Sequence, residues 1–196
     1  MPSRGLPLAA ALKAARPRGR VVWVVERRWA PVVRLCRHVD ACIAFDRQAG
    51  AAGVWRLARD LRARRYDAAF DLQRLLKSGA MAWWSRAPRR IGFHPREAKE
   101  ANHLFNTEHL PALGEALSKV RHYLAFAAHV GAPVAEPLDF GLDRAVLAAQ
   151  APPAVRARGR EVVAVVVGTS WPSKDWPAAR WQRLCDLVAG GSGCDV

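Results

Sequence analysis

The residues best suited to chemistry lie in one run, VVVGTSWPSKDWP, from Val165 to Pro177. EVVAVVV (Glu161 to Val167) is a continuous β-branched stretch and reads as a buried strand. It empties into a loop with two small hydroxyls, Thr169 and Ser170, and then Lys174. A helix is expected over Pro177 to Val188, with Pro177 in its first turn. At the carboxyl end of a parallel strand, hydroxyls, backbone N–H groups and an ammonium converge on one point and form an anion site. There Lys174 would neutralise a diphosphate and stabilise a departing nucleotide. A turn with a solvated lysine, in which Trp171 and Trp176 only pack, has the same spacing.

Other groups carry weaker signals. Asp71 closes the short run DAAFD (Asp67 to Asp71), where it would either face a cleft or cap a helix N-terminus. Gln73 and Lys77 lie four apart, on one face of a helix expected over Leu72 to Trp84, as a plain polar surface also would. Arg86, Arg89 and Arg90 suit phosphate or a solvated face, and Trp83 and Trp84 suit core or domain-edge packing. The cysteines, Cys36, Cys42, Cys185 and Cys194, form no C-x-x-C pair, and none of the six histidines stands at ligand spacing from them. Neither a metal nor a cofactor is expected, and the thiols fit a reducing cytoplasm.

These groups need strands and helices to hold them. Leu6 to Arg16 reads as a helix ending before Pro17, and VVWVVE (Val21 to Glu26) as a buried strand. A helix over Ala30 to Arg37 and a strand at CIAF (Cys42 to Phe45) follow. In Val54 to Arg65 the spacing puts Val54, Trp55, Ala58 and Leu61 on one helical face. RRIGF (Arg89 to Phe93) is a further strand, and Leu117, Val120, Leu124 and Ala127 mark one face of a long helix. Repeated strand–helix units imply an α/β fold, a Rossmann-like doubly wound parallel sheet. The Pro- and Arg-rich stretch APPAVRARGR breaks the pattern. We therefore expect a first domain at 1–150, a linker at 151–160 and the start of a second domain at 161–196.

The 196 residues are 51% hydrophobic and 24% charged, which excludes large-scale disorder. No apolar run approaches the ~20 residues of a membrane-spanning helix. The net charge of +14 sits wholly in residues 1–100, which hold 22 basic and 8 acidic side chains. Such a bias points to an anionic partner, whether nucleic acid, phosphorylated lipid or membrane surface, or to a GC-rich genome that favours Arg. No helix-turn-helix, RNA-recognition or zinc-finger pattern accompanies the charge, so nucleic acid is not the expected partner.

Four ordered segments resemble family 9 glycosyltransferases, the ADP-heptose:lipopolysaccharide heptosyltransferases. GTSWPSKDWP is similar to the loop that opens that family's second domain. WVVERRWAPVV (Trp23 to Val33) looks like its second-strand motif, YDAAFDLQRLLKSG (Tyr66 to Gly79) its strand–turn–helix, and GFHPREAKE (Gly92 to Glu100) the segment before an acceptor-side loop. The resemblance implies two facing Rossmann-like domains of GT-B type, with the active site between them. It implies a nucleotide-sugar donor, ADP-heptose, and a phosphorylated lipid A inner-core acceptor. It also implies a cytoplasmic enzyme, peripheral at the inner face of the inner membrane. Thr169, Ser170 and Lys174 match donor-phosphate positions. Lys77 and Ser78 match a Lys-Ser pair that faces the cleft or supports it, and Arg47 falls near a basic loop that meets acceptor phosphates.

The family's catalytic carboxylate follows its first strand, and counting back places that position at Met1. The chain also opens on a helix with no strand before it, and only some 35 residues follow the linker. Both features lead us to expect a sequence truncated at each end and inactive by itself. Two other readings stand beside this one: a basic nucleic-acid-binding protein, and a non-catalytic sugar-nucleotide-binding remnant.

Overall fold

In a computed structural model of the chain, residues 2–114, 116–150, 165 and 175–192 are described. By packing, the chain divides into two units, Met1–Asp143 and Arg144–Val196.

Each apolar run of strand length in the first unit becomes a strand, and every strand pairs in parallel. A 3-10 turn, Pro2–Gly5, leads into α1 (Leu6–Ala15), which stops ahead of Pro17. β1 (Val22–Glu26) follows, then α2 (Ala30–Arg34) and β2 (Ala41–Phe45). α3 (Gly50–Arg62), β3 (Ala68–Phe70), α4 (Leu76–Trp84) and β4 (Arg89–Gly92) continue the alternation. A two-residue strand, β5 (Glu108–His109), and α5 (Lys119–His129) complete the unit. β5 was not legible in the sequence, because two residues carry no periodicity. β1 pairs with β2, and β3, β4 and β5 form a second sheet in that order.

Two layers of helix cover these sheets, as parallel strands require. Leu8 and Ala11 of α1 pack with Ile91, Phe93 and Leu110, and with Phe126 and Ala127 of α5. Phe126 meets Phe93 edge-on at 5.0 Å and Phe70 at 6.1 Å. A second cluster joins Val25 to Ala30 and Val33 of α2. In a third, Ile43 meets Leu57 and Leu61 of α3, with Val22, Val24, Met81 and Trp84 packed against them.

Several boundaries differ from expectation for local reasons. α3 buries Leu57, Ala58 and Leu61, whereas Trp55 is 67% and Val54 51% exposed. At 100° per residue Trp55 stands about 110° round from the centre of the buried stripe. Val54 is aligned with that stripe but lies a turn upstream of it. α4 starts at Leu76, not Leu72, so Gln73 is not helical and shares no helix face with Lys77. α5 starts at Lys119 because the Ser118 hydroxyl accepts from the Arg121 N–H at 3.3 Å, and this leaves Leu117 outside the helix and exposed. α2 ends three residues earlier than expected, at Arg34. Trp84 packs as expected, but Trp83 is 53% exposed.

The second unit begins with α6 (Arg144–Gln150), which the sequence reading did not anticipate. α7 (Ala178–Ser192) corresponds to the helix expected from Pro177 and runs four residues further. The N–H groups of Arg180 and Trp181 donate to the Pro177 carbonyl at its start, and the Trp176 and Trp181 rings meet at a tilt of 55° with centroids 5.2 Å apart. The linker expected at 151–160 and the strand expected at 161–167, apart from Val165, lie outside the described residues.

Candidate functional site

The carboxyl ends of β1 and β3 open onto a cavity of about 1130 Å³ in the first unit. Ligands of open α/β sheets bind at this edge. Asp71 follows β3 directly and is 4% exposed. Its N–H donates to the Ile91 carbonyl at 2.8 Å and so extends the β3–β4 ladder by one rung. One carboxylate oxygen accepts from the Gln73 N–H at 3.0 Å, and the other accepts from the Asn102 amide at 2.6 Å. Asp71 is therefore not a helix cap: α4 begins five residues later, and the carboxylate fixes the turn between strand and helix.

Asn102 completes that turn. Its side-chain amide also donates to the Leu75 carbonyl at 2.7 Å. Gly79 of α4 makes room, since a Cβ there would stand 2.8 Å from the Asn102 amide and 2.9 Å from Phe105. Gly92 does the same for Asn106, whose amide a Cβ would overlap. Asn106 is buried, and its carbonyl oxygen finds no partner among the described residues.

Charge gathers at the mouth of this edge. Arg74, Arg96, Lys99 and Lys119 line it on the basic side, and Glu26, Asp71 and Glu97 on the acidic side. Arg74 adopts a left-handed backbone (φ 67°), and its guanidinium lies over the Phe93 ring at 3.9 Å. Glu97 accepts from the N–H groups of Leu113 and Gly114 with Oε1, and its buried Oε2 has no hydrogen-bond partner among the described residues. His122 is buried, with its two ring nitrogens 3.1 Å from the Ser118 carbonyl and 3.0 Å from the Gly114 carbonyl. A neutral ring donates to one of these, an imidazolium to both.

The residues singled out from the sequence meet different fates. Ser78 is buried and lines the cavity, but its hydroxyl donates to the Leu75 carbonyl at 2.8 Å and accepts from the Leu75 N–H, locking the first turn of α4. Lys77 is exposed on that turn and is not among the lining residues. Arg47 is engaged by Glu26 at 3.3 Å, and Arg28 holds the second oxygen of that carboxylate at 2.9 Å. Arg89 makes a bidentate pair with Glu108, and Arg90 donates to the Phe105 and Ala87 carbonyls, so neither is a free surface cation. Thr169, Ser170 and Lys174 lie outside the described residues. Asn102, Arg74 and His122 were missed, because each acts through a fold contact that carries no local pattern. Among the described residues, no group of three His, Cys, Asp or Glu side chains is arranged to hold a metal ion. No described helix is long and apolar enough to cross a membrane.

The model of glycosyltransferase family 9 (heptosyltransferase) matches residues 54–196. The chain belongs to glycosyltransferase family 9. This family 9 chain is 28% identical to lipopolysaccharide heptosyltransferase 1 of Pseudomonas aeruginosa, over 93% of its own length and 53% of the relative's. It is 24% identical to the lipopolysaccharide core heptosyltransferase OpsX of Haemophilus influenzae, over 62% of its length and 34% of the relative's. It thus spans about half the length of the first relative and a third of the second. Among solved structures, E. coli heptosyltransferase WaaC with ADP matches with a TM-score of 0.78 at 22% identity, over 97% of this chain and 62% of that one. The family 9 glycosyltransferase of Veillonella parvula matches at 0.75 and 17% identity, over 96% and 56%. These likenesses establish the GT-B-type α/β fold.

Proposed function

We propose that this chain supplies the acceptor-side domain, and the opening of the donor-side domain, of an inverting heptosyltransferase that uses ADP-heptose and a phosphorylated lipopolysaccharide inner core. The family match from 54 to 196 carries this reading, because it runs through both the acceptor-side turn at Asp71 and the segment GTSWPSKDWP. A carboxylate deprotonates the acceptor hydroxyl, which attacks the anomeric carbon in line with the departing diphosphate. Thr169, Ser170 and Lys174 stabilise that leaving group as its charge grows. Asp71 has both oxygens occupied by donors, which suits holding the acceptor-side turn better than taking a substrate proton.

The basic rim of Arg74, Arg96, Lys99 and Lys119 supports the acceptor role, since it offers several cations to phosphorylated sugars at the edge where α/β sheets bind ligands. Arg47 acts beside it through Glu26. A second basic surface supports peripheral contact with anionic lipid on the cytoplasmic face of a membrane. Trp55, Arg59 and Arg62 share one exposed stripe of α3, and Arg62 forms a small cleft with Trp83, Arg86 and Arg90. A nucleic-acid-binding reading has only the net charge in its favour.

The test is a chain swap. The matched stretch of the Pseudomonas relative is replaced by this sequence, and the relative's own residues are kept on either side. Transfer of heptose from ADP-heptose to phosphorylated inner-core acceptor supports the proposal. A folded chimera without transfer, beside an active parent, refutes it.

A further inference from the structure

Gly114 is held by both of its backbone groups, each by a different titratable side chain. Its N–H donates to Glu97 Oε1 at 3.0 Å, beside the Leu113 N–H at 3.2 Å. Its carbonyl stands 3.0 Å from His122 Nε2. Glu97 comes from the 3-10 turn Pro95–Glu97 that follows β4, and His122 comes from α5. The glycine between them is left-handed at φ 71°, a conformation that suits glycine, and nothing within 4 Å would meet a Cβ there. Gly114, Glu97 and His122 all line the cavity of about 1130 Å³, so this turn is part of its wall.

His122 decides how firmly that turn is held. The ring is buried, and its Nδ1 stands 3.1 Å from the Ser118 carbonyl. Two carbonyls facing two ring nitrogens are both satisfied only when each nitrogen carries a proton. A neutral ring turns a lone pair on one carbonyl oxygen, in either tautomer. The Ser118 carbonyl is fixed, because it also accepts the His122 N–H at 3.0 Å and so closes the first turn of α5. Gly114 is therefore the partner that gives way. A bare Nε2 repels the Gly114 carbonyl directly. A bare Nδ1 makes the ring swing off Ser118, and Nε2 leaves Gly114 with it.

The charges around the ring divide in two. Glu97 favours a proton on it, and its buried Oε2, with no partner among the described residues, is offset by a positive charge across the turn. Arg96, Lys99 and Lys119 share the cavity and oppose that proton, but all three are exposed and screened by water. Arg74 lies over Phe93, whose ring also meets His122 with centroids 6.3 Å apart, and Tyr123 adds a neutral phenol to the same cavity. Of the elements packed on α5, the turn before α1 brings Arg4, which is exposed, and α1 brings Lys13, which is engaged by Asp40. On α5 itself Arg121 is engaged by Glu136, and His129 by Glu108. The Asp71 carboxylate is taken up by Gln73 and Asn102.

We propose that His122 and Glu97 form a proton-operated latch on the wall of this cavity. With the ring doubly protonated and Glu97 ionised, the turn Leu113–Gly114 is held from both sides and the wall is closed. When the ring loses a proton, the Gly114 carbonyl is released and the wall opens at that point. At the acid end, protonation of Glu97 loosens the N–H side, because a neutral acid is the poorer acceptor. The latch is therefore closed between the two titrations. His122 is a positioning residue here, since it acts on the cavity through Gly114. The latch does not depend on the reaction proposed above.

The experiment follows the full 196-residue chain by NMR from about pH 5 to 8, where imidazole side chains change charge. The ring nitrogen shifts of His122 read its charge and tautomer. Amide exchange at Leu113 and Gly114, divided by the intrinsic rate at each pH, reads the turn. The Leu110 N–H, which donates to the Gly92 carbonyl at the end of β4, is the control. We expect protection of Gly114 to fall about tenfold as the ring loses its proton, at the same midpoint, while Leu110 holds steady. Glu97→Gln keeps an oxygen for both N–H groups but removes the charge, and it should move the ring's midpoint to lower pH. Four results would overturn the proposal. They are protection of Gly114 that does not follow the ring, a ring whose charge stays constant over this range, a parallel loss of protection at Leu110, and a midpoint that Glu97→Gln leaves in place or raises.

Discussion

Asn102 holds Asp71 across 2.6 Å and the Leu75 carbonyl across 2.7 Å with the same amide, so one side chain fixes both ends of the turn that joins β3 to α4. The pair spans 31 residues of sequence and is buried. Asn102→Ala leaves a buried Asp71 carboxylate oxygen without its donor, while the Leu75 carbonyl keeps the Ser78 hydroxyl and the Ser78 and Gly79 N–H groups. We expect it to destabilise the chain by about 2–3 kcal/mol in urea unfolding. A loss below about 0.5 kcal/mol would mean that the turn holds without Asn102.

Phe126 and Trp55 should behave oppositely despite similar size. Phe126 is 0% exposed and packs edge-on against two phenylalanines, so Phe126→Ala should cost about 3–5 kcal/mol. Trp55 is 67% exposed, and Trp55→Ala should stay within about 0.5 kcal/mol. Thermal melts of both variants check the pair.

The contrast shows what the sequence made legible. Continuous apolar runs such as Val22–Glu26 announced the strands, and their alternation with helices announced the α/β class. The face of α3 was misjudged because Trp55 counts as apolar in any pattern, although its side chain stands largely exposed. The turn at 72–75 was read as helix because Leu72, Leu75 and Leu76 suit one. What stops the helix is Asp71 binding the Gln73 N–H and Asn102 reaching in from 31 residues away. Arg74 over Phe93 is likewise a contact between separate elements, whereas His122 is seated by the nearby Ser118 and Gly114 carbonyls, which no residue pattern marks.

Glu108 gives a pH dependence with a definite sign. The Arg89 guanidinium, and after it His129, hold its carboxyl down to about 2 from an ordinary 4.5. Its contribution is therefore present above about pH 4.5 and fades as the pH falls through about 2. The pair is partly solvated, so the contribution is no more than about 1 kcal/mol. Glu108→Gln should be less stable than the parent at pH 6 and nearly equal to it at pH 2, by urea midpoints. An unchanged difference between the two pH values would remove Glu108 from the acid response.

The basic surface of α3 and α4 should sense lipid charge. Co-sedimentation with vesicles containing phosphatidylglycerol should exceed that with phosphatidylcholine alone. It should fall when Trp55 and Trp83 are both changed to Ala, and fall again with added salt. Equal binding to both vesicle types would contradict a membrane role for this face.

The most direct test of the account is donor kinetics at Lys174 in the chain-swapped enzyme. An ammonium that meets the leaving diphosphate contributes about 1.5–3 kcal/mol, so Lys174→Ala should lower kcat/KM for ADP-heptose roughly 10–150-fold. Lys174→Arg should restore part of that loss, because a planar fork replaces a compact charge. Arg47→Ala should instead raise the KM for the phosphorylated acceptor and spare the donor. If Lys174→Ala left donor kinetics unchanged in an active chimera, the loop from Thr169 to Lys174 would be a solvated turn and the proposed donor site would be wrong.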